Sequence, residues 1–325
     1  MQSRSLRAPL ALAALVCGSL LAGAPAAAQV RLERELALRP GGRLQMDLDG
    51  ADVVIRGGRA SGVHVAVSSS RADIEEWVQL TFEDRDGLAI VRAKRPRGAS
   101  WGGWWRSGMS LRFDVQVPDE VMLQIETSGG DIDVAGLRGG QRLDTSGGDI
   151  TVAGNEGDVK ADTSGGNIEV RDLTGNADLE TSGGSIQALR VRGAVRADTS
   201  GGNIRLEQIG SHVDAETSGG SIRLRGVGGL VAAQTSGGSI EAVLAPGNAA
   251  GGSLQTSGGS VRVRVDPSVS LTLDAQSSGG SVRSDLPVTI RGRTSRSSLR
   301  GEVNGGGKLL RLRTSGGSVT ITALE

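Results

Sequence analysis

Six carboxylates, Glu126, Asp144, Asp162, Glu180, Asp198 and Glu216, each stand immediately before a Thr and follow one another at 18-residue intervals. Carboxylates in series are the chemistry of divalent cations, because Ca²⁺ takes several oxygen ligands. If they stack about 4.8 Å apart, neighbours repel by about 0.9 kcal/mol in water. Arg142, Lys160 and Arg196 precede three of them by two residues, on the same side of an extended chain. Internal neutralisation is therefore the expectation, with no metal bound. The Gly-Gly-x-Gly-x-Asp repeat of calcium-binding β-rolls is also missing from the sequence.

Two further groups have binding chemistry. Arg95, Arg97 and Arg106 surround Trp101, Trp104 and Trp105, in a chain with no Tyr and two Phe. Exposed on a hairpin loop, these Trp would stack on glycans or meet lipid headgroups or a protein, and the Arg would favour acidic envelope polymers. Folded back, they would seal the end of the molecule instead. The second group, Arg283 to Arg313, contains Arg291, Arg293, Arg296, Arg300, Lys308 and Arg311 against Asp285 and Glu302. It reads as a charged, solvated strand face, or as a strip for anionic polysaccharide or nucleic acid.

Catalytic chemistry is poorly represented. His64 and His212 are the only histidines, the only Cys is Cys17, and the many Ser lie in turns without a nucleophile elbow. No catalytic residue, metal or cofactor is expected. A polysaccharide lyase or hydrolase on a β-helix is the enzymatic alternative, but an 18-residue coil leaves little loop to form a cleft.

The elements that carry these residues follow from an internal repeat. Thr-Ser-Gly-Gly begins at 127, 145, 163, 181, 199, 217, 235, 256 and 314, and Ser-Ser-Gly-Gly at 277. The turn glycines are Gly129, Gly130, Gly147, Gly148, Gly165, Gly166, Gly183, Gly184, Gly201, Gly202, Gly219, Gly220, Gly237 and Gly238. They are expected to supply positive φ and to let successive backbones approach closely. Around each turn, apolar residues alternate with polar ones, as in Val159, Ala161 and Thr163, then Ile168 and Val170. That period of two marks short strands and excludes a helix. A third apolar position and second turn recur as Leu137/Gly139, Leu173/Gly175, Val191/Gly193 and Val227/Gly229.

The fold expected is all-β: a single-stranded parallel β-solenoid, or β-helix, of ~18-residue coils, each residue lying above its equivalent. A lone coil would not fold, so the stack needs covered ends. Three regions are expected: an export leader over 1–28, a β-rich N-terminal cap with the Trp loop over 29–118, and the repeat domain over 119–325. In the first, Arg4 and Arg7 precede an apolar stretch from Leu10 to Gly23 and Ala26-Ala27-Ala28. The 37 residues between 277 and 314 have room for one more coil, with Val303-Asn304-Gly305-Gly306 as its degenerate turn. Val319 to Leu324 would then be an open edge, prone to weak self-association.

Leu111-Arg-Phe-Asp-Val-Gln-Val-Pro118, then Leu123-Gln-Ile-Glu-Thr-Ser-Gly-Gly-Asp-Ile132 and its copies, resemble a bacterial domain family of unknown function labelled "putative adhesin". The resemblance covers roughly residues 40 to 325 and implies an exported β-solenoid without catalytic residues. With 36 basic and 36 acidic residues, the whole chain gives no argument for nucleic acid. No transmembrane span is expected. The function expected is a non-enzymatic, adhesin-like structural or binding protein of the cell envelope, periplasmic or at the surface. Its partner would be an envelope polysaccharide or a protein; the alternative is a periplasmic accessory of envelope signalling or assembly.

Overall fold

The structure, a computed structural model, describes residues 30–71, 74–95, 110–290 and 295–324. The leader and the Trp loop, with Trp101, Trp104, Trp105, Arg97 and Arg106, lie outside the described residues, as do Arg291 and Arg293. The chain is an all-β solenoid whose strands form a 14-stranded and a 15-stranded sheet, with one helical turn at Ile74–Trp77. Each coil gives one strand to each sheet. Val159–Thr163 and Ile168–Leu173 are typical, and their sheets are called here the Thr sheet and the Ile sheet.

Successive coils pair in parallel and in constant register: Thr145 meets Thr163, which meets Thr181, and Ile150 meets Ile168, which meets Ile186. Side chains of alternate residues meet between the two sheets, so Val159, Ala161, Ile168, Val170 and Leu173 are each at most 2% exposed. This thin aliphatic core runs the length of the column. Its period of two follows from the strand geometry.

The repeat exists because the corner is intolerant of change. Thr163 donates its hydroxyl hydrogen to the Gly148 carbonyl of the preceding coil at 3.0 Å and accepts from its own Gly166 N–H at 3.3 Å. The same pair of bonds recurs at Thr181 and Thr199. A Cβ on Gly166 would lie 1.9 Å from the Gly148 carbonyl oxygen, whereas one on Gly165 would sit 3.8 Å from its nearest atom. The second glycine is thus required by close approach. Positive φ was expected of the pair and is absent from it; the left-handed residues are at another corner, at Gly154, Asp172, Arg190 and Gln208. The glycines here make room for a neighbouring chain, a steric need that leaves φ ordinary.

Parallel stacking also includes residues from the segment expected to act as a cover. Gly42–Leu48 and Asp52–Arg59 form a coil against Val121–Thr127 and Ile132–Ala135. Leu88–Lys94 and Leu111–Pro118 form another outside it. The antiparallel strands Val30–Leu36, Val63–Ser69 and Gln79–Arg85 finish that end. The first coil in the chain is therefore second in space.

The other end repeats the arrangement. Lys308–Thr314 lies between Gly252–Thr256 and Leu271–Ser277, and Val319–Ala323 lies between Val261–Val265 and Val282–Ser284. The last coil is inserted one place from the end, so Val319 to Leu324 is not the open edge expected. Val282–Ser284 holds that position in the Ile sheet. Nor do the described residues between 285 and 307 form the degenerate coil expected. Ser298–Val303 turns back antiparallel on Leu271–Ser277, and Asn304, Gly305 and Gly306, with φ of 49°, 82° and 84°, redirect the chain into the inserted strand.

Ser253 faces Arg311 across this insertion, 58 residues apart in sequence. Ser253→Cys with Arg311→Cys is expected to form a disulfide on mild oxidation, as parallel neighbours about 4.8 Å apart are within bridging range. Gln255→Cys with Gln276→Cys, on coils consecutive in the chain but separated by Arg313 in space, should stay reduced. Non-reducing electrophoresis with peptide mapping reads the result; the reverse pattern would refute the insertion.

Candidate functional site

The corner after each Gly pair holds a second ladder. Asp131, Asp149 and Asn167 each accept the backbone N–H of the equivalent residue in the next coil, at 2.8, 2.6 and 2.9 Å. Ser and Asn continue the series to Ser260, which accepts from Ser318 of the inserted coil. Asp, Asn and Ser are the residues that can accept there and still form a turn. These side chains are used up structurally, and the sequence reading missed them although the residue after Gly-Gly is always of this kind.

The outward face of the Thr sheet collects the ladder of carboxylates. Arg142 Nε is 3.1 Å from Asp144, and Lys160 Nζ is 3.7 Å from Asp162 and 3.0 Å from Asp178. Arg196 Nε is 2.8 Å from Asp198. The cations thus stand between carboxylates, as the neutralisation reading expects. Among the described residues no three His, Cys, Asp or Glu side chains are grouped to hold a metal.

Asp144 is the exception in this ladder. Its Oδ2 is buried without a hydrogen bond, since Arg142 Nε approaches out of line. Burial, together with Asp162 and Glu126, outweighs Arg142 and holds the Asp144 carboxyl above the usual carboxylate range. Asp274, at the inserted coil, is the opposite case. Burial alone would raise it, but hydrogen bonds from Arg313 and Arg300 outweigh burial and keep it below that range. Arg311 Nε stands 3.9 Å from the same carboxylate. Part of the basic segment therefore anchors the inserted coil.

Two grooves run along the Thr-sheet face. One, of about 940 Å³, crosses successive coils past Gln124, Arg142, Lys160, Asp178, Arg196 and Asp214. The other, of about 710 Å³, follows Glu126, Asp144, Asp162 and Glu180 beside Ser146, Ser164 and Ser182. Their walls are repeated side chains of strands and tight corners. Such a surface can hold an extended partner by hydrogen bonds and ion pairs at each coil.

The remaining sequence candidates are dispersed. The Arg95 N–H donates to Asp49 Oδ2 at 3.1 Å, and its guanidinium Nε lies 3.9 Å from the same oxygen. His64 Nε2 is 3.7 Å from Glu33, near the N-terminal end, whereas His212 Nδ1 is 3.5 Å from its neighbour Ser211 in a central coil. The two histidines are not brought together.

The family model described as Toastrack DUF4097 matches residues 42–322. The chain belongs to the Toastrack DUF4097 family. The match spans the inserted coils at both ends and leaves out the edge strand Val30–Leu36. Among solved structures, one titled a "putative adhesin" from Bacteroides fragilis is 10% identical, covering 92% of this chain and 99% of that one, with a TM-score of 0.39. A "putative cell adhesion protein" from Clostridium sporogenes is 10% identical over 91% and 100% of the two chains, with a TM-score of 0.27. A "putative lipid binding protein" from Parabacteroides distasonis is 10% identical over 91% and 97%, with a TM-score of 0.40. No curated protein matches this Toastrack chain. No helix among its described residues is long and apolar enough to cross a membrane.

The two aspartates give stability changes of opposite sign. A raised native pKa means that ionisation at neutral pH costs stability, so Asp144→Asn should raise the melting temperature at pH 7 and lose that advantage near pH 3. A depressed native pKa contributes stability above the ordinary carboxylate range, lost as pH falls, so Asp274→Asn should lower melting at pH 7 and converge with the parent in acid. Thermal melts by circular dichroism between pH 3 and 8 check both signs.

Proposed function

We propose that this chain is an exported, non-enzymatic, adhesin-like scaffold of the cell envelope, which holds an elongated envelope polysaccharide along the outward face of its Thr sheet. The observation that carries the reading is the groove of about 940 Å³, which crosses successive coils and meets one outward residue of each. A sugar in an extended polymer advances by about one strand spacing, so successive sugars would meet equivalent positions on successive coils. Each contact is weak, and affinity accumulates along the column.

The residues assigned to the contact are Gln124, Arg142, Lys160 and Arg196. Their cationic heads favour uronic or phosphorylated sugars, while their aliphatic stems suit the apolar face of a sugar ring. The basic start and apolar stretch of residues 1–28 support export. In this reading residues 29–118 cover one end and present the Trp loop, and residues 119–325 are the binding column. Gly129, Gly130 and their copies, through Gly237 and Gly238, are the turns that keep the wall groups in register.

Calorimetry of the mature chain with a set of acidic and neutral envelope polysaccharides tests this. The combined variant Arg142→Gln, Lys160→Gln, Arg196→Gln should weaken binding to acidic polymers at least tenfold, with the melting temperature within a few degrees of the parent. Binding that survives this variant, but is lost when Trp101, Trp104 and Trp105 are replaced by Ala, would move the site to the Trp loop and overturn the groove assignment.

A further inference from the structure

The charges of this chain cancel overall but are segregated along the column. Residues 119–217 carry 18 acidic and 8 basic residues, and residues 218–324 carry 5 acidic and 12 basic. Surplus charge of each sign also reaches the surface without an internal partner. On the Thr sheet, Glu180, Asp214 and Glu216 are exposed and form no ion pair among the described residues. On the Ile sheet toward the other end, Arg225, Arg262, Arg264 and Arg283 are likewise exposed and unpaired.

Both sets are arranged on the same lattice. Glu180 and Glu216 occupy one column with Asp198 between them, so they stand two strands apart, about 9.6 Å. Arg225 and Arg264 occupy one column with Val243 between them, at the same spacing. Arg262 and Arg283 form the adjacent column, separated by Thr320 of the inserted coil. A row of carboxylates and a row of guanidinium groups with equal spacing can be laid face to face.

From this complementarity we propose that the partner of the Arg face is a second copy of this chain, docked through its acidic Thr-sheet face. One molecule supplies both the anionic and the cationic surface. A nucleic acid would answer the Arg face alone and leave the carboxylates unmatched, and no aromatic residue follows Phe113 to stack on bases. Because the two faces are different surfaces of one molecule, the contact is head-to-tail and propagates into open, laterally staggered assemblies. Exposed ion pairs are individually weak and screened by salt, so assembly is reversible and salt-sensitive. The contact does not use the groove cations Arg142, Lys160 and Arg196, although Asp214 stands at the edge of that groove.

Sedimentation velocity of the purified mature chain over a concentration series is the test. At about 0.01 M salt, where screening extends about 30 Å, average mass should rise with concentration. At about 1 M salt, where it extends about 3 Å, the protein should return to monomer. Two neutralised variants divide the contact. One combines Arg225→Gln, Arg262→Gln, Arg264→Gln and Arg283→Gln; the other combines Glu180→Gln, Asp214→Asn and Glu216→Gln. Each should stay monomeric alone, and the two mixed should form a discrete 1:1 pair, because each retains one competent face. Unchanged circular dichroism melts verify that both variants are folded, and the Arg-to-Lys version of the first should still associate. A parent that is monomeric at low salt, variants that assemble like the parent, or a mixture that forms no pair would overturn the proposal. So would assembly abolished by nuclease or polysaccharide-degrading enzymes, which would reveal a bridging polyanion.

Discussion

A single hydrogen bond, from the Thr hydroxyl of one coil to a Gly carbonyl of the coil before it, governs the rest of this molecule. It fixes the vertical register at the corner, where the two sheets meet and where parallel backbones come closest. The hydroxyl can reach the carbonyl only because the opposite Gly has no Cβ; at Gly184 that atom would sit 1.9 Å from the Gly166 oxygen. Once the corner is set, register in both sheets follows, and with it the inward and outward assignment of every side chain. The polar ladder of Asp, Asn and Ser beside it satisfies a backbone N–H that the strands leave over.

The same bond explains how the two ends are closed. Thr314 donates to Gly259, 55 residues earlier, and Ser277 donates to Gly317, 40 residues later. At the other end Thr127 donates to the Ala51 carbonyl, 76 residues away. The bond is indifferent to chain order and needs only a correctly shaped neighbour. The chain exploits this by running outward, adding an outer coil with antiparallel cover, and inserting a terminal coil beneath it. An edge strand that would otherwise be free to pair with another molecule is thereby replaced by short or antiparallel strands.

Much of this was legible in the sequence. The 18-residue recurrence of Thr-Ser-Gly-Gly specified parallel coils, and the alternation around Val159 and Ile168 specified the buried face. The cations beside Asp144, Asp162 and Asp198 indicated the pairing of those three members of the acidic row. Insertion of the Lys308–Thr314 coil was not legible, because a repeated motif matches all its copies equally and cannot rank neighbours. The coil at Gly42–Leu48 was hard to place for a related reason: its corner, Asp49 to Ala51, is built without the motif. The absence of positive φ in the Gly pair was also hidden, since close approach and left-handed backbone select the same residue. What the column binds is the least legible feature, because outward side chains answer to partners and leave the repeat unconstrained.

The account therefore stands on the hydroxyl at the corner, and Thr181, in the middle of the column, is the place to remove it. Thr181→Val keeps the shape and improves strand propensity, but leaves the Gly166 carbonyl and the Gly184 N–H unpaired in a buried corner. Denaturant unfolding should show Thr181→Val less stable than the parent by about 1–3 kcal/mol, with Thr181→Ser recovering most of the loss. A Thr181→Val protein as stable as the parent, or more so, would contradict the claim that this bond holds the stack in register.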